Sequence, residues 1–280
     1  MDKPFADLHV HSFFSDGSMS PEEIIEAAVT NDVGVLAVSD HNMLDGSVMI
    51  RELCKCRGIR YIPAVEIDTV EDENNFHILA YGFDMENTYF RDFVKHTRFC
   101  LDELSVKLIE LMQYDYSGLS LDDYFNYTPD RRLGGWKALQ YLMTKGLTSS
   151  LKEGIPFYFD YGLVYSKSGY STIAATAYRI KSAGGYSVLA HPGELMDTSD
   201  IFQFKKELRR LISFGLNGIE CYYPSHSEHV TQACLEICEE YGLLVTAGSD
   251  CHGIFGKTRV GEMNICADKL ILNELIVKEY

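Results

Sequence analysis

Asp7, His9 and His11 occupy alternate positions in the stretch "DLHVHSFFSDG", and alternate residues of a strand share one face. Two imidazoles should therefore converge at the end of a first strand, with Asp16 following closely in sequence. The same residue types recur at the ends of four further apolar runs. His41 follows "VLAVSD", Glu66 comes late in "YIPAVEI", His191 directly follows "SVLA", and Asp250 and His252 follow "LLVTAGS". A lone buried histidine is usually a hydrogen-bonded core residue, which suits His96 and His229. Many imidazoles and carboxylates in one mouth would be costly to bury unpaired. A metal removes that cost, and imidazole with carboxylate suits divalent Zn, Mn or Fe.

The elements that must position these groups alternate between strand and helix. Phe5 to Val10 reads as a strand, and "SPEEIIEAAVTND" as a helix opened by a Ser20–Glu23 capping box with Pro21 at its first position. "GVLAVSD", "IRYIPAVEID" and "FHILAYGF" read as strands, and "DGSVMIRELCKCRG" as a helix ending at Gly58. Beyond residue 170 the alternation resumes through "YSVLAHP", "LNGIECYY" and "LLVTAGSD", each with a helical pattern before it. Such alternation predicts parallel strands with crossover helices. Their C-terminal ends, where an α/β barrel gathers its catalytic groups, are where the histidines and carboxylates fall. Residues 99–170 interrupt the pattern. They hold the only tryptophan, read mostly as helix, and offer one strand-like stretch, "IPFYFDYGLVY". The expected organisation is a barrel of residues 1–98 and 171–280 with a mainly helical insertion at 99–170.

A chain of 280 residues suits one large domain or a domain with an insertion. Its formal charge of −16 opposes a long nucleic acid. No apolar run approaches the ~18 residues of a membrane span. The opening "MDKPFADLHV" lacks the basic and then apolar pattern of a signal peptide. Eight scattered cysteines complete no zinc knuckle and read as reduced thiols, so the expected compartment is the cytoplasm. Oligomeric state is not legible.

In this order, "DLHVHSFFSDG", "VSDHNMLDG", "VEI", "FHILAYGF", "LAHPG" and "GSDCHG" resemble the motifs of the PHP (polymerase and histidinol phosphatase) superfamily of metal-dependent phosphoesterases. The resemblance implies a distorted seven-stranded (β/α) TIM-like barrel with two or three divalent ions in its mouth. The ligands would be His9, His11, Asp16, His41, Glu66, His77, His191, Asp250 and His252. Strand-end spacing had placed all of these except His77, which opens its strand. Asp16 stands where some members have histidine, as in the nucleotide-phosphatase branch. Asp40 would orient a ligand from behind or cap a helix.

The implied chemistry is phosphomonoester hydrolysis by metal-activated water, with His252 or His191 protonating the leaving group. The overall pattern resembles the branch acting on 3′,5′-bisphosphorylated nucleotides or short oligonucleotides, so the expected partner is a small phosphorylated substrate. Members of that branch show a "GRPHIA"-like stretch, whereas this chain has "DRRLGGWKALQYLMTKG". Arg131, Arg132 and Lys137 there, and His226 in "YYPSH", are the residues expected to hold a second phosphate. A histidinol-phosphate phosphatase would share the ligands without needing that basic group. A catalytically silent metal-binding module is the alternative of another class.

Overall fold

Helix α1 (Pro21–Thr30) starts where Ser20 and Glu23 cap it reciprocally. The Ser20 hydroxyl accepts from the Glu23 N–H, and the Glu23 carboxylate accepts from the Ser20 N–H. It follows β1 (Phe5–Asp7) and leads into β2 (Val33–Leu36) and α2 (Asp45–Arg57), which Gly58 ends in the left-handed conformation at φ 69°. The structure, a computed structural model, describes residues 4–275.

The stretch "IRYIPAVEID" is not one strand. β3 (Arg60–Tyr61) pairs with β2, and after Pro63 the chain enters β4 (Ala64–Glu71) in a second sheet. Pro63 has no N–H to continue a ladder. β4 turns through Asp72 and Glu73, both at positive φ (46° and 69°), into antiparallel β5 (Asn74–Tyr81). Two successive positive φ values make the tight turn that suits strand twist, so no crossover helix is needed.

From there α3 (Thr88–Met112), α4 (Leu121–Asn126), α5 (Lys137–Thr144) and α6 (Pro156–Asp160) form the helical segment. The chain returns through α7 (Ile173–Ser182), β6 (Tyr186–Leu189), α8 (Pro192–Leu195), α9 (Ile201–Ile212), β7 (Gly218–Tyr222), α10 (Glu228–Tyr241) and β8 (Leu244–Ala247). Leu108, Met112, Tyr124, Tyr141 and Leu142 give the helical segment a small apolar core of its own. The expected boundary at residue 99 falls inside α3, and "IPFYFDYGLVY" is helical rather than a strand.

The result is a mixed α/β fold of two sheets, ordered β1-β2-β3 and β4-β5-β6-β7-β8. Two expectations are corrected. β5 runs antiparallel to both neighbours, and the described residues close no barrel. Single parallel bridges, His41 with Glu66 and Val10 with Cys251, link the sheets at two seams. Both seams lie among the residues singled out for their chemistry. No described helix is long and apolar enough to cross a membrane.

Candidate metal centre

Beyond β1 the chain stays extended, with His9 and His11 between the segments that follow β2 and β8. Ser39 N–H donates to Val10 O, Asp250 N–H to His9 O, and His11 N–H to Cys251 O. This threads both imidazoles, fully buried, into the seam. His41 and Glu66 meet at the other seam, and His191 and Asp250 follow β6 and β8. The last two sit at positive φ, 26° and 50°. Non-glycine residues hold such backbone only where the surroundings enforce it. The antiparallel β5 accounts for His77. In a reversed strand the beginning, not the end, reaches the mouth, and His77 lies opposite Asp68 of β4.

Glu66 is the hub. Its Oε2 lies 3.1 Å from His9 Nε2, 3.2 Å from His11 Nε2 and 3.1 Å from His41 Nε2. Its Oε1 lies 2.9 Å from His77 Nδ1 and 3.0 Å from His191 Nε2. Asp250 Oδ1 is 3.0 Å from His11 Nε2, and Asp16 Oδ2 is 3.2 Å from His252 Nε2. Three groups of donor atoms result: His11, Asp16, His41 and His252; His9, His11, Glu66 and Asp250; His41, Glu66 and His77. His11, His41 and Glu66 belong to more than one group. His191 joins the assembly through Glu66 and His77. All nine residues expected as ligands therefore lie in one connected assembly.

The donor set fits cations. His9 Nε2 and His11 Nε2 face each other at 3.0 Å. The Nδ1 atoms of His11, His41 and His191 are buried without a hydrogen-bond partner among the described residues. Burial alone would depress His11, but hydrogen bonds to Asp250 and Glu66 and the charge of Asp16 raise it to about 10. Burial takes His41 the other way, down to about 4, against the pull of Glu66 and Asp16. Burial would raise Glu66 and Asp250, yet the surrounding imidazoles hold both well below the usual carboxylate range. A site this rich in ionised carboxylates and lone pairs is what a divalent ion neutralises.

Hydrogen bonds from behind assign tautomers. His252 Nδ1 lies 2.8 Å from Asp250 O. A carbonyl can only accept, so Nδ1 carries the proton and Nε2 keeps a lone pair for the cluster. Glu220, fully buried on β7, does the same for His9, with its carboxylate oxygens 3.1 and 3.2 Å from Nδ1. Its Oε2 also accepts from the His191 N–H at 2.9 Å. Glu220 and Asp68 were not singled out in the sequence. The available signal was a carboxylate inside an apolar strand, as in "NGIECY" and "VEIDTV". Asp7 is absent from the cluster. It accepts from Ser249 and Gly261 and braces the loop that carries Asp250 and His252.

The other expected residues lie elsewhere. Among the described residues Asp40 makes no hydrogen bond to an imidazole. It accepts from the Ser12 N–H at 2.7 Å, the Ser12 hydroxyl at 2.6 Å and the Ser15 hydroxyl at 2.6 Å, fixing the turn that carries Asp16. Arg131 lies over Phe13 and Phe14, Arg132 pairs with Glu23, and Lys137 lies over Tyr124. His226 has both nitrogens engaged, Nδ1 donating to Cys221 O and Nε2 accepting from the Gly193 N–H.

Comparison with known proteins places this assembly. Residues 7–131 match the family model of the PHP domain. The chain carries a PHP domain. A phosphoribosyl 1,2-cyclic phosphate 1,2-diphosphodiesterase from Eggerthella lenta is 29% identical, with 90% of this chain and 95% of that one covered. A 5′-3′ exoribonuclease from Haemophilus influenzae is 26% identical over 95% of this chain and 96% of its own. A solved structure from Bifidobacterium adolescentis, 23% identical, covers 93% of each chain with a TM-score of 0.76 and shares the fold. With a PHP domain and this donor set, the protein is a metal-dependent hydrolase.

Proposed function

We propose that the protein hydrolyses a phosphoester of a small substrate, a nucleotide or short oligonucleotide, using two or three divalent ions held by the nine-residue assembly. The observation that carries this is the set of three donor groups sharing His11, His41 and Glu66, which is arranged to hold neighbouring ions rather than one isolated ion. Manganese, zinc and iron suit its mixture of imidazole and carboxylate. Bound there, such ions would supply Lewis-acid polarisation of phosphoryl oxygens and activation of water. The chain's own contribution is orientation. Glu220 and the Asp250 carbonyl fix the His9 and His252 tautomers, and Asp40 and Asp7 brace the turns that carry Asp16 and Asp250. Tyr223, whose hydroxyl donates to Asp250 Oδ2 at 2.9 Å, holds the second oxygen of that carboxylate.

The relatives' printed names, a phosphoribosyl cyclic phosphate diphosphodiesterase and an exoribonuclease, both support the phosphoester chemistry, and the second supports the nucleotide class. Arg131, Arg132 and Lys137 already contact Phe13 and Phe14, Glu23 and Tyr124, so the reading does not rest on their holding a second phosphate. The test is a screen of phosphomonoesters and short oligonucleotides with each metal, alongside elemental analysis of wild type and Glu66→Gln. The expectation is two or three ions in wild type, fewer in the variant, and turnover reduced at least about tenfold. Full metal content and full turnover in Glu66→Gln would refute the assignment.

A further inference from the structure

A cavity of about 190 Å³ opens directly onto His41, Asp68 and His77. Its remaining walls come from the helical segment: Leu101 on α3, Trp136 before α5, Ile155, Tyr158 and Phe159 at α6, and Tyr165. Four of those six are aromatic, and no lysine or arginine lines the cavity. Trp136 and Tyr158 are held in place. The Trp136 ring meets His41 edge-on with centroids 5.5 Å apart, and the Arg98 guanidinium lies 5.9 Å from the indole centroid. Arg98 is itself paired with Asp102 at 3.1 Å, and the Tyr158 hydroxyl is 2.8 Å from that of Ser105. Phe159 and Ile155 stand exposed at the rim.

We propose that this cavity binds a planar aromatic ring of the leaving group, so that substrate is selected by a ring and not by a second phosphate. The proposal rests on the phosphoesterase reading for the position of the scissile phosphate. Three features converge. The cavity is continuous with the candidate metal centre. Its volume is below that of sites for drug-sized ligands, which suits one ring system. Its walls supply stacking surface without a cation to neutralise an anionic group, and stacking on aromatic side chains accepts any base. Arg131, Arg132 and Lys137 of the same segment face Phe13 and Phe14, Glu23 and Tyr124, away from the cavity lining.

Trp136 is the only tryptophan in the chain, so its emission reports occupancy of the cavity without reference to turnover. Adenosine, which has no phosphate, should change that emission in the metal-loaded protein, and ribose should not. In hydrolysis, AMP should be preferred over ribose 5-phosphate. Phe159→Ala, at the exposed rim, should lower the AMP-to-ribose-5-phosphate ratio of kcat/KM about five- to a hundredfold, the range for losing one stacking partner. Phenyl phosphate used as well as AMP would support recognition of the ring alone; AMP used better would support recognition of a nucleobase. Equal use of ringed and ringless phosphates with no emission change would overturn the proposal. An emission change with adenosine but no hydrolysis of any phosphate would uphold the cavity and sink the phosphoesterase reading instead.

Discussion

Glu220→Gln isolates the charge behind His9 from its shape. In the wild type both carboxylate oxygens lie near His9 Nδ1, at 3.1 and 3.2 Å, and Oε2 also takes the His191 N–H at 2.9 Å. The amide keeps the volume. With its oxygen in the Oε2 position it still accepts from both donors, so the fold should survive. What disappears is one charge-assisted bond to a proposed metal ligand, His9. Such bonds contribute about 1.5–3 kcal/mol against about 0.5–1.5 for neutral ones, so the loss is roughly 1–1.5 kcal/mol. That corresponds to about a tenfold weaker metal affinity, the lower end of the range seen for groups that orient ligand histidines. Calorimetric titration of manganese or zinc into chelator-treated protein measures it, with the Tm of the metal-free protein as control. Glu220→Ala is the poorer variant, because it orphans the His191 N–H and mixes a folding cost into the result. If Glu220→Gln binds metal within twofold of wild type while its Tm falls, the carboxylate merely packs and the tautomer argument fails.

The pKa shifts give a second test. His9, His11 and His77 are raised in the metal-free site because nearby carboxylates outweigh burial, and His11 reaches about 10. At pH 7 His11 holds a proton that a metal must displace, whereas His41, at about 4, has none to give. Metal binding at pH 7 should therefore release protons, and affinity should rise as pH increases toward 10. Titrations in two buffers of different ionisation enthalpy read the number, and zero release would contradict the assigned charges. A third test is Arg132→Ala. The side chain is exposed and paired with Glu23, so kcat/KM should change less than about twofold. A loss that grows specifically on bisphosphates would restore this arginine to substrate binding.

What the sequence made legible follows from what spacing encodes. A strand ending in His or Asp after an apolar run announces both its direction and its cargo, so His9, His11, His41, Glu66, His191, Asp250 and His252 were readable one strand at a time. His77 was not, because its position makes sense only once β5 is known to run backwards. The local cue, two turn residues between "TVE" and "NNFHIL", carries neither glycine nor a common hairpin dipeptide. The carboxylates behind the ligands were harder still. Glu220 and Asp68 are separated from their imidazoles by 211 and 9 positions, and nothing in a strand's periodicity distinguishes a buried acid with a partner from one without. The surroundings of the basic residues were hidden for the converse reason. Type and proximity in sequence suggested a shared anion for Arg131, Arg132 and Lys137, but the short 3₁₀ turn at Arg131–Leu133 and the start of α5 send them to different partners. Glu23 is the telling case. Its carboxylate caps α1 and also takes the Arg132 guanidinium. A cap readable from four residues thus occupies a cation 109 positions away. Residue type fixes which chemistry is possible, whereas whether a charge is free to perform it depends on contacts that only the folded chain creates.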